Sequence, residues 1–148
     1  MNKMIKKKGI TLFELLVSIS IIGILTALAV VSYGSMQKKA RDARRVQDMA
    51  AIQKAAEQFY MLNSSKYCSG TGMTWSAGQT WTINSQVVMQ STPQDPKGLS
   101  NPYNYRQCDP LTYCICATLE SATGNSSDFN CTGWVAGTGA YYCVNNQQ

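Results

Sequence analysis

The chain has 148 residues, a formal net charge of +5, six cysteines and no histidine. That length suggests one modest domain plus whatever the N-terminus does. The missing histidine removes the usual general base, and nothing else is placed to activate the serines or cysteines, which argues against catalysis. The charge is uneven: Lys3, Lys6, Lys7 and Lys8 stand at the start, and beyond Gly9 nine basic residues face eight acidic ones. A near-neutral remainder gives no general case for nucleic-acid binding. The first cluster reads instead as a positive-inside topology signal.

Residues 1–9 form a short basic leader, and residues 10–33 an apolar segment. No charge occurs from Leu15 to Gln37, about the ~20 residues that a membrane-spanning helix needs. Glu14 sits at the mouth of this run, where an ionisable group costs a few kcal/mol, on the order of 3, if it enters lipid. Three kinds of segment compete. An ordinary secretory signal would be cut after the apolar core, and Ala27-Leu28-Ala29 offers a small-x-small site. A simple anchor would keep its leader and have no use for Glu14. The third option is a cut between Gly9 and Ile10 that leaves the apolar helix on the mature chain. Glycine suits such a cut, because its backbone enters a protease site without a side chain in the way.

Gly9-Ile10-Thr11-Leu12-Phe13-Glu14-Leu15-Leu16-Val17, followed by Ile21-Ile22-Gly23-Ile24-Leu25, resembles the class III signal of type IV pilins and secretion pseudopilins. The resemblance covers roughly residues 6–60. It implies cleavage after Gly9 by a prepilin peptidase and methylation of the new amino group of Ile10. It also implies an assembly role for Glu14. Glu14 lies four residues after Ile10, on the same helix face, and a neighbouring subunit's ammonium could pair with it. Breaking such a desolvated pair should cost roughly 3–5 kcal/mol. The alternative is a Glu14 that stays at headgroup level without a role.

Beyond the apolar run, Met36, Ala40, Ala43, Val46, Ala50, Ala56 and Phe59 recur mostly at spacings of three and four, which predicts an amphipathic helix whose apolar side is thickened by Met49, Ala51, Ala55, Tyr60 and Leu62. Arg44 with Asp48 and Lys54 with Glu57 are spaced to pair along its outer face. No proline precedes Pro93, so one helix is expected over 10–62, with 34–62 as its amphipathic half. At 1.5 Å per residue it would be roughly 80 Å long. Lys38, Lys39, Arg41, Arg44 and Arg45 lack interleaved aromatics, so a solvated face or contact with anionic headgroups is favoured over nucleic acid.

Residues 63–148 are expected to form a globular β head packed with 34–62. Asn63-Ser64-Ser65 ends the helix, and a loop follows with Tyr67 and Trp75 as packing anchors. Trp81, Ile83, Val87 and Met89 alternate with polar residues as one half-buried strand. All four prolines fall between Pro93 and Pro110, a region of turns and edges. There, Pro93-Gln94-Asp95-Pro96-Lys97-Gly98 and Asn101-Pro102-Tyr103-Asn104-Tyr105, interrupted by Leu99-Ser100, partly resemble a motif of the major pseudopilin of type II secretion. Thr112–Leu119 is the expected central strand, with Tyr113, Ile115, Ala117 and Leu119 facing the helix and Cys114 and Cys116 facing out. Gly139–Val144 closes the sheet.

Cys68, Cys108, Cys114, Cys116, Cys131 and Cys143 all lie behind the apolar segment and lack a Cys-x-x-Cys pair. They read as a disulfide framework rather than a zinc site. Fifteen connectivities are open. Cys114 and Cys116 point the same way along one strand and should bond elsewhere, with Cys131 and Cys143 as natural partners and Cys68 left with Cys108. No cofactor is expected. Type II major pseudopilins often bind calcium, which makes Asp109 and Asp128 weak candidates, although an oxygen shell usually uses more carboxylates. Asn63, Asn125 and Asn130 lie in Asn-x-Ser/Thr triplets, read as coincidental.

The expected fold is therefore α+β and type IV pilin-like, with a long N-terminal helix on a small antiparallel sheet. The expected function is that of a bacterial inner-membrane subunit, with a short cytoplasmic N-terminus, that polymerises into a pilus or pseudopilus. The resemblance implies a prepilin peptidase, an assembly ATPase, a membrane platform protein, membrane lipid and further copies of itself as partners. The other readings are a secreted disulfide-rich module released after Ala29 and a DNA-binding minor pilin.

Overall fold

A computed structural model describes residues 9–68, 73, 76–98 and 103–147, and of Val31 and 104–108 the backbone alone. The rest of the leader, Trp75, Leu99–Pro102 and the side chains of Tyr105 and Cys108 lie outside the described residues. The chain divides into two compact units, Met1–Gln37 and Lys38–Gln148. One helix, α1 (Leu12–Leu62), begins in the first and continues into the second.

In the first unit α1 is exposed on every side. It is the one helix among the described residues long and apolar enough to cross a membrane. Its serine and threonine hydroxyls are satisfied within the helix. Ser18 donates to the Glu14 carbonyl (2.7 Å), Ser20 to that of Leu16 (2.8 Å) and Thr26 to that of Ile22 (2.6 Å). Such back-bonding removes the cost of carrying polar side chains into lipid.

In the second unit α1 buries Asp42, Arg45, Met49, Ile52, Ala55, Ala56 and Phe59. The spacing is that of one helix face. It agrees with the face expected from hydrophobicity at Met49, Ala55, Ala56 and Phe59 and departs from it before Met49. Met36, Ala40, Ala43 and Ala50 are exposed and Val46 is half-buried, because the true face begins with an ion pair and turns apolar only at Met49. Asn63-Ser64-Ser65 does end the helix: Ser64 and Ser65 take positive φ (54° and 57°), and the Asn63 side chain donates to the Lys66 carbonyl at 2.7 Å.

The segment read as one strand is a hairpin, β1 (Trp81–Ile83) and β2 (Gln86–Met89). Asn84 and Ser85 both take positive φ (48° and 63°), the type I′ geometry that matches strand twist in a two-residue loop. β3 (Asn104–Cys108), β4 (Tyr113–Thr118), β5 (Gly124–Ser126), β6 (Trp134–Gly139) and β7 (Tyr141–Asn145) form an antiparallel sheet. Its order is β3-β4-β7-β5-β6. The proline-rich stretch thus leads into an edge strand. The expected closing strand β7 lies mid-sheet.

The sheet has two unlike faces. Tyr113, Ile115, Ala117 and Val144 join Met49, Ile52, Ala55, Ala56 and Phe59 in the main core, with Tyr67, Met73, Trp81 and Val88. Cys114, Cys116 and Cys143 form a second cluster with Phe129, Cys131 and Tyr141. Disulfides join Cys114 to Cys131 and Cys116 to Cys143, and Cys68 is also disulfide-bonded. Gly124 and Gly139 let β5, β6 and β7 approach closely: a Cβ would lie 1.9 Å from the Tyr141 carbonyl oxygen at Gly124, and 2.0 Å from that of Ser126 at Gly139. Between them the Asn125 amide bonds both the N–H and the C=O of Cys143 (2.7 and 2.9 Å), standing in for a strand backbone. The architecture is a pilin-like α+β fold.

Candidate processing and assembly site

Gly9, Ile10 and Thr11 precede the helix without regular structure. Nothing lies within 4 Å of a Cβ built at Gly9, and Ile10 is 79% exposed. The backbone on both sides of the Gly9–Ile10 bond is therefore open. Thr11 is the N-cap of α1. Its Oγ1 accepts the Glu14 N–H (3.2 Å), and Glu14 Oε2 accepts the Thr11 N–H (2.8 Å) and the Thr11 hydroxyl (2.9 Å). This is a capping box, two residues three apart closing the free N–H groups of a helix start. The Thr-x-x-Glu spacing is itself a sequence signal for this box, one that the expectation of a neighbouring subunit's ammonium at Glu14 does not use. The box gives Glu14 a second reason to exist. A cut after Gly9 spares it, because both of its residues lie on the mature side, and the new amino group would then sit one residue before the cap.

Residues 4–30 match the family described as the prokaryotic N-terminal methylation motif. The chain carries a class III prepilin signal. That signal, together with the helix-and-sheet architecture, is consistent with the type IV pilin and pseudopilin family. The match ends within the apolar run and covers none of the head. Searches among curated proteins and among solved structures gave no significant match.

Behind the prepilin signal, the head is tied to the helix by charge. Arg45 is fully buried. Its guanidinium meets Asp95 with Nε and Nη2 (2.8 and 3.1 Å), and Asp42 (2.8 Å) and Glu120 (3.0 Å) with Nη1. Arg41 meets Glu120 through two parallel bonds of 2.7 and 2.8 Å, and Lys97 adds a contact of 3.0 Å. Asp42 also accepts the backbone N–H groups of Glu120 and Ser121 and the Ser121 hydroxyl. Three carboxylates and three cations thus neutralise one another. Bonding to Arg41 holds the Glu120 carboxyl far below its usual range, against the opposing effect of burial. Burial alone would raise Asp42, but bonds from Ser121, Glu120 and Arg45 outweigh it and leave it lowered. The basic run is thus only partly a solvated face: Arg45 and Arg41 are internal ties, while Lys38, Lys39 and Arg44 are exposed and take no part in these pairs.

The outer-face pairs expected for Asp48 and Glu57 give way to tyrosines. Asp48 accepts the Tyr103 hydroxyl at 2.5 Å. Glu57 accepts those of Tyr67 (2.7 Å) and Tyr113 (3.4 Å) and the Gln147 N–H (3.1 Å). Burial first, and these carboxylates second, push the Tyr67 and Tyr103 phenols above their ordinary value, so both remain donors.

The calcium candidates sit in turns. Asp128 receives the Asn130 and Thr132 N–H groups and the Thr132 hydroxyl, donors that leave little room for a cation. Asp109 receives the Thr112 hydroxyl at 3.4 Å. The sulfurs of Cys114, Cys116, Cys131 and Cys143 lie within 4.8 Å of one another. That spacing would suit a tetrathiolate site, but each sulfur is bonded to another and none is the thiolate a metal needs.

Proposed function

We propose that this chain is a prepilin-like structural subunit, cut after Gly9, methylated on Ile10, held in the inner membrane by residues 10–33 and then drawn into a pilus or secretion pseudopilus. The methylation-motif match over residues 4–30 carries this reading. It is supported by an accessible Gly9–Ile10 backbone and by a carboxylate at the mouth of an unpartnered apolar helix. The role is structural rather than catalytic. Assembly buries the apolar helices together and turns the disulfide-bonded heads outward. The symmetry is heterologous and open, which yields filaments rather than rings.

In this scheme Glu14 serves twice. In the membrane-held subunit its Oε2 caps its own helix. In the fibre the carboxylate also receives the ammonium of a neighbouring copy's Ile10. The machinery required is a prepilin peptidase, an assembly ATPase and a membrane platform protein.

N-terminal sequencing and mass measurement of the mature protein test the reading. A chain beginning at Ile10, heavier by one methyl group, is expected. A chain beginning at Val30 would mean ordinary signal cleavage after Ala29 and a secreted binding module instead.

A further inference from the structure

One pocket in the head is unaccounted for by the ties described above. It is lined by Lys39, Asp42, Ala43 and Val46 on one face of α1 and by Leu119, Ser121 and Thr123 beyond β4, and its volume is about 290 Å³. The four helix residues are spaced i, i+3, i+4 and i+7, so they share a face. Its walls are mostly apolar. The Asp42 carboxylate there is already neutralised by Arg45 and hydrogen-bonded by Ser121. Lys39 supplies the charge left over.

Among the described residues, Lys38, Lys39 and Arg44 are exposed at this end of the head and outside the ion pairs described above. Lys39 follows Tyr33, the last residue of the apolar run, by only six positions. Another copy of the head is poorly equipped to neutralise them. Among the described residues of the second unit, Asp109 is the exposed carboxylate, and the others are buried or half-buried. An occupant with its own negative charge and an apolar body fits better. The bilayer in which residues 10–33 are proposed to sit would supply one.

We propose that this pocket seats an anionic phospholipid, its phosphate at Lys39 and the start of its acyl chains against Ala43, Val46 and Leu119. The inference rests on the membrane-anchored reading above. A seated lipid would hold the head down on the membrane, and extraction into a fibre would have to strip it.

The full chain, carrying a photoreactive diazirine residue in place of Thr123, is reconstituted into vesicles of equal parts phosphatidylglycerol and phosphatidylcholine. After illumination the adducts are weighed. Phosphatidylglycerol adducts should dominate, and Lys39→Gln should reduce them about five-fold, the typical contribution of one near-surface cation. Lys54→Gln, an exposed cation further along the helix, should leave them unchanged. Cross-linked dimers in place of lipid adducts would overturn the proposal in favour of a second copy. Equal labelling of the two lipids, or insensitivity to Lys39→Gln, would also overturn it. Co-flotation of the chain with the vesicles is scored separately. A chain that fails to float overturns the anchored reading and this inference with it. A chain that floats without selective labelling overturns this inference alone.

Discussion

At Glu14 two demands meet on one side chain. Capping needs an acceptor at the third helical position, and glutamine satisfies that as well as glutamate. Receiving a neighbour's ammonium needs a negative charge. Glu14→Gln should therefore keep the helix start and membrane insertion while losing fibres. Glu14→Ala should lose fibres and fray the first turn as well. The ratio of sheared fibre to membrane-held subunit, with circular dichroism of the detergent-solubilised chain, separates the two effects. Arg45 poses the opposite problem. It is the hub of three carboxylates, so Arg45→Met leaves buried negative charge unmatched and should cost about 3–5 kcal/mol, read by denaturant titration. Neither Asp95, fifty positions away, nor Glu120, seventy-five away, could be matched to Arg45 from local spacing.

The elements differ in how far their sequences announce them. The apolar half of α1 is unmistakable, because 23 successive residues carry no charge. The amphipathic half of α1 is legible from Met49 onward, where Met49, Ala55, Ala56 and Phe59 are buried, but not before it, since Asp42 and Arg45 look like surface residues until their partners are known. The hairpin was hidden because its turn residues, Asn84 and Ser85, are themselves compatible with an alternating strand. A non-glycine residue at positive φ is strained, so Ser85→Gly should stabilise the head by about 1 kcal/mol, seen as a raised melting temperature. β5 and β6 (Gly-Asn-Ser and Trp-Val-Ala-Gly-Thr-Gly) show no useful alternation. They exist because Gly124 and Gly139 admit close backbones, and alanine at either should prevent native disulfide formation, measured as free thiol in the purified chain.

For the molecule as a whole, stability in acid follows from the ion cluster. Glu120 and Asp42 titrate below their ordinary values of 4.5 and 3.8. A lowered carboxyl contributes stability that is fully present above its ordinary value and is lost as pH falls through the lowered one. The head should thus keep its tertiary structure down to pH 4.5 and loosen only in stronger acid. Tryptophan fluorescence across an acid titration reads this directly, and Glu120→Gln should flatten the dependence. The outer face of the sheet is held differently. Cys114 and Cys116 bond into the Cys131 loop and β7, each link contributing about 2–4 kcal/mol.

The chain's own order of residues determined the basic leader, the glycine at the expected cut, the Thr-x-x-Glu cap and the uncharged helix. Each depends on neighbours within a few positions, so local chemistry suffices. The central strand was legible for the same reason: its two faces differ residue by residue. Which face of the second half of α1 is buried ahead of Met49, which cations are ties, and how the strands of the described residues are ordered were decided only by tertiary structure. The buried face and the choice of ties rest on pairings across fifty to ninety positions, where a buried charge finds its partner only once the chain has closed around it, and the strand order rests on backbone pairing such as that of Cys114 with Asn145.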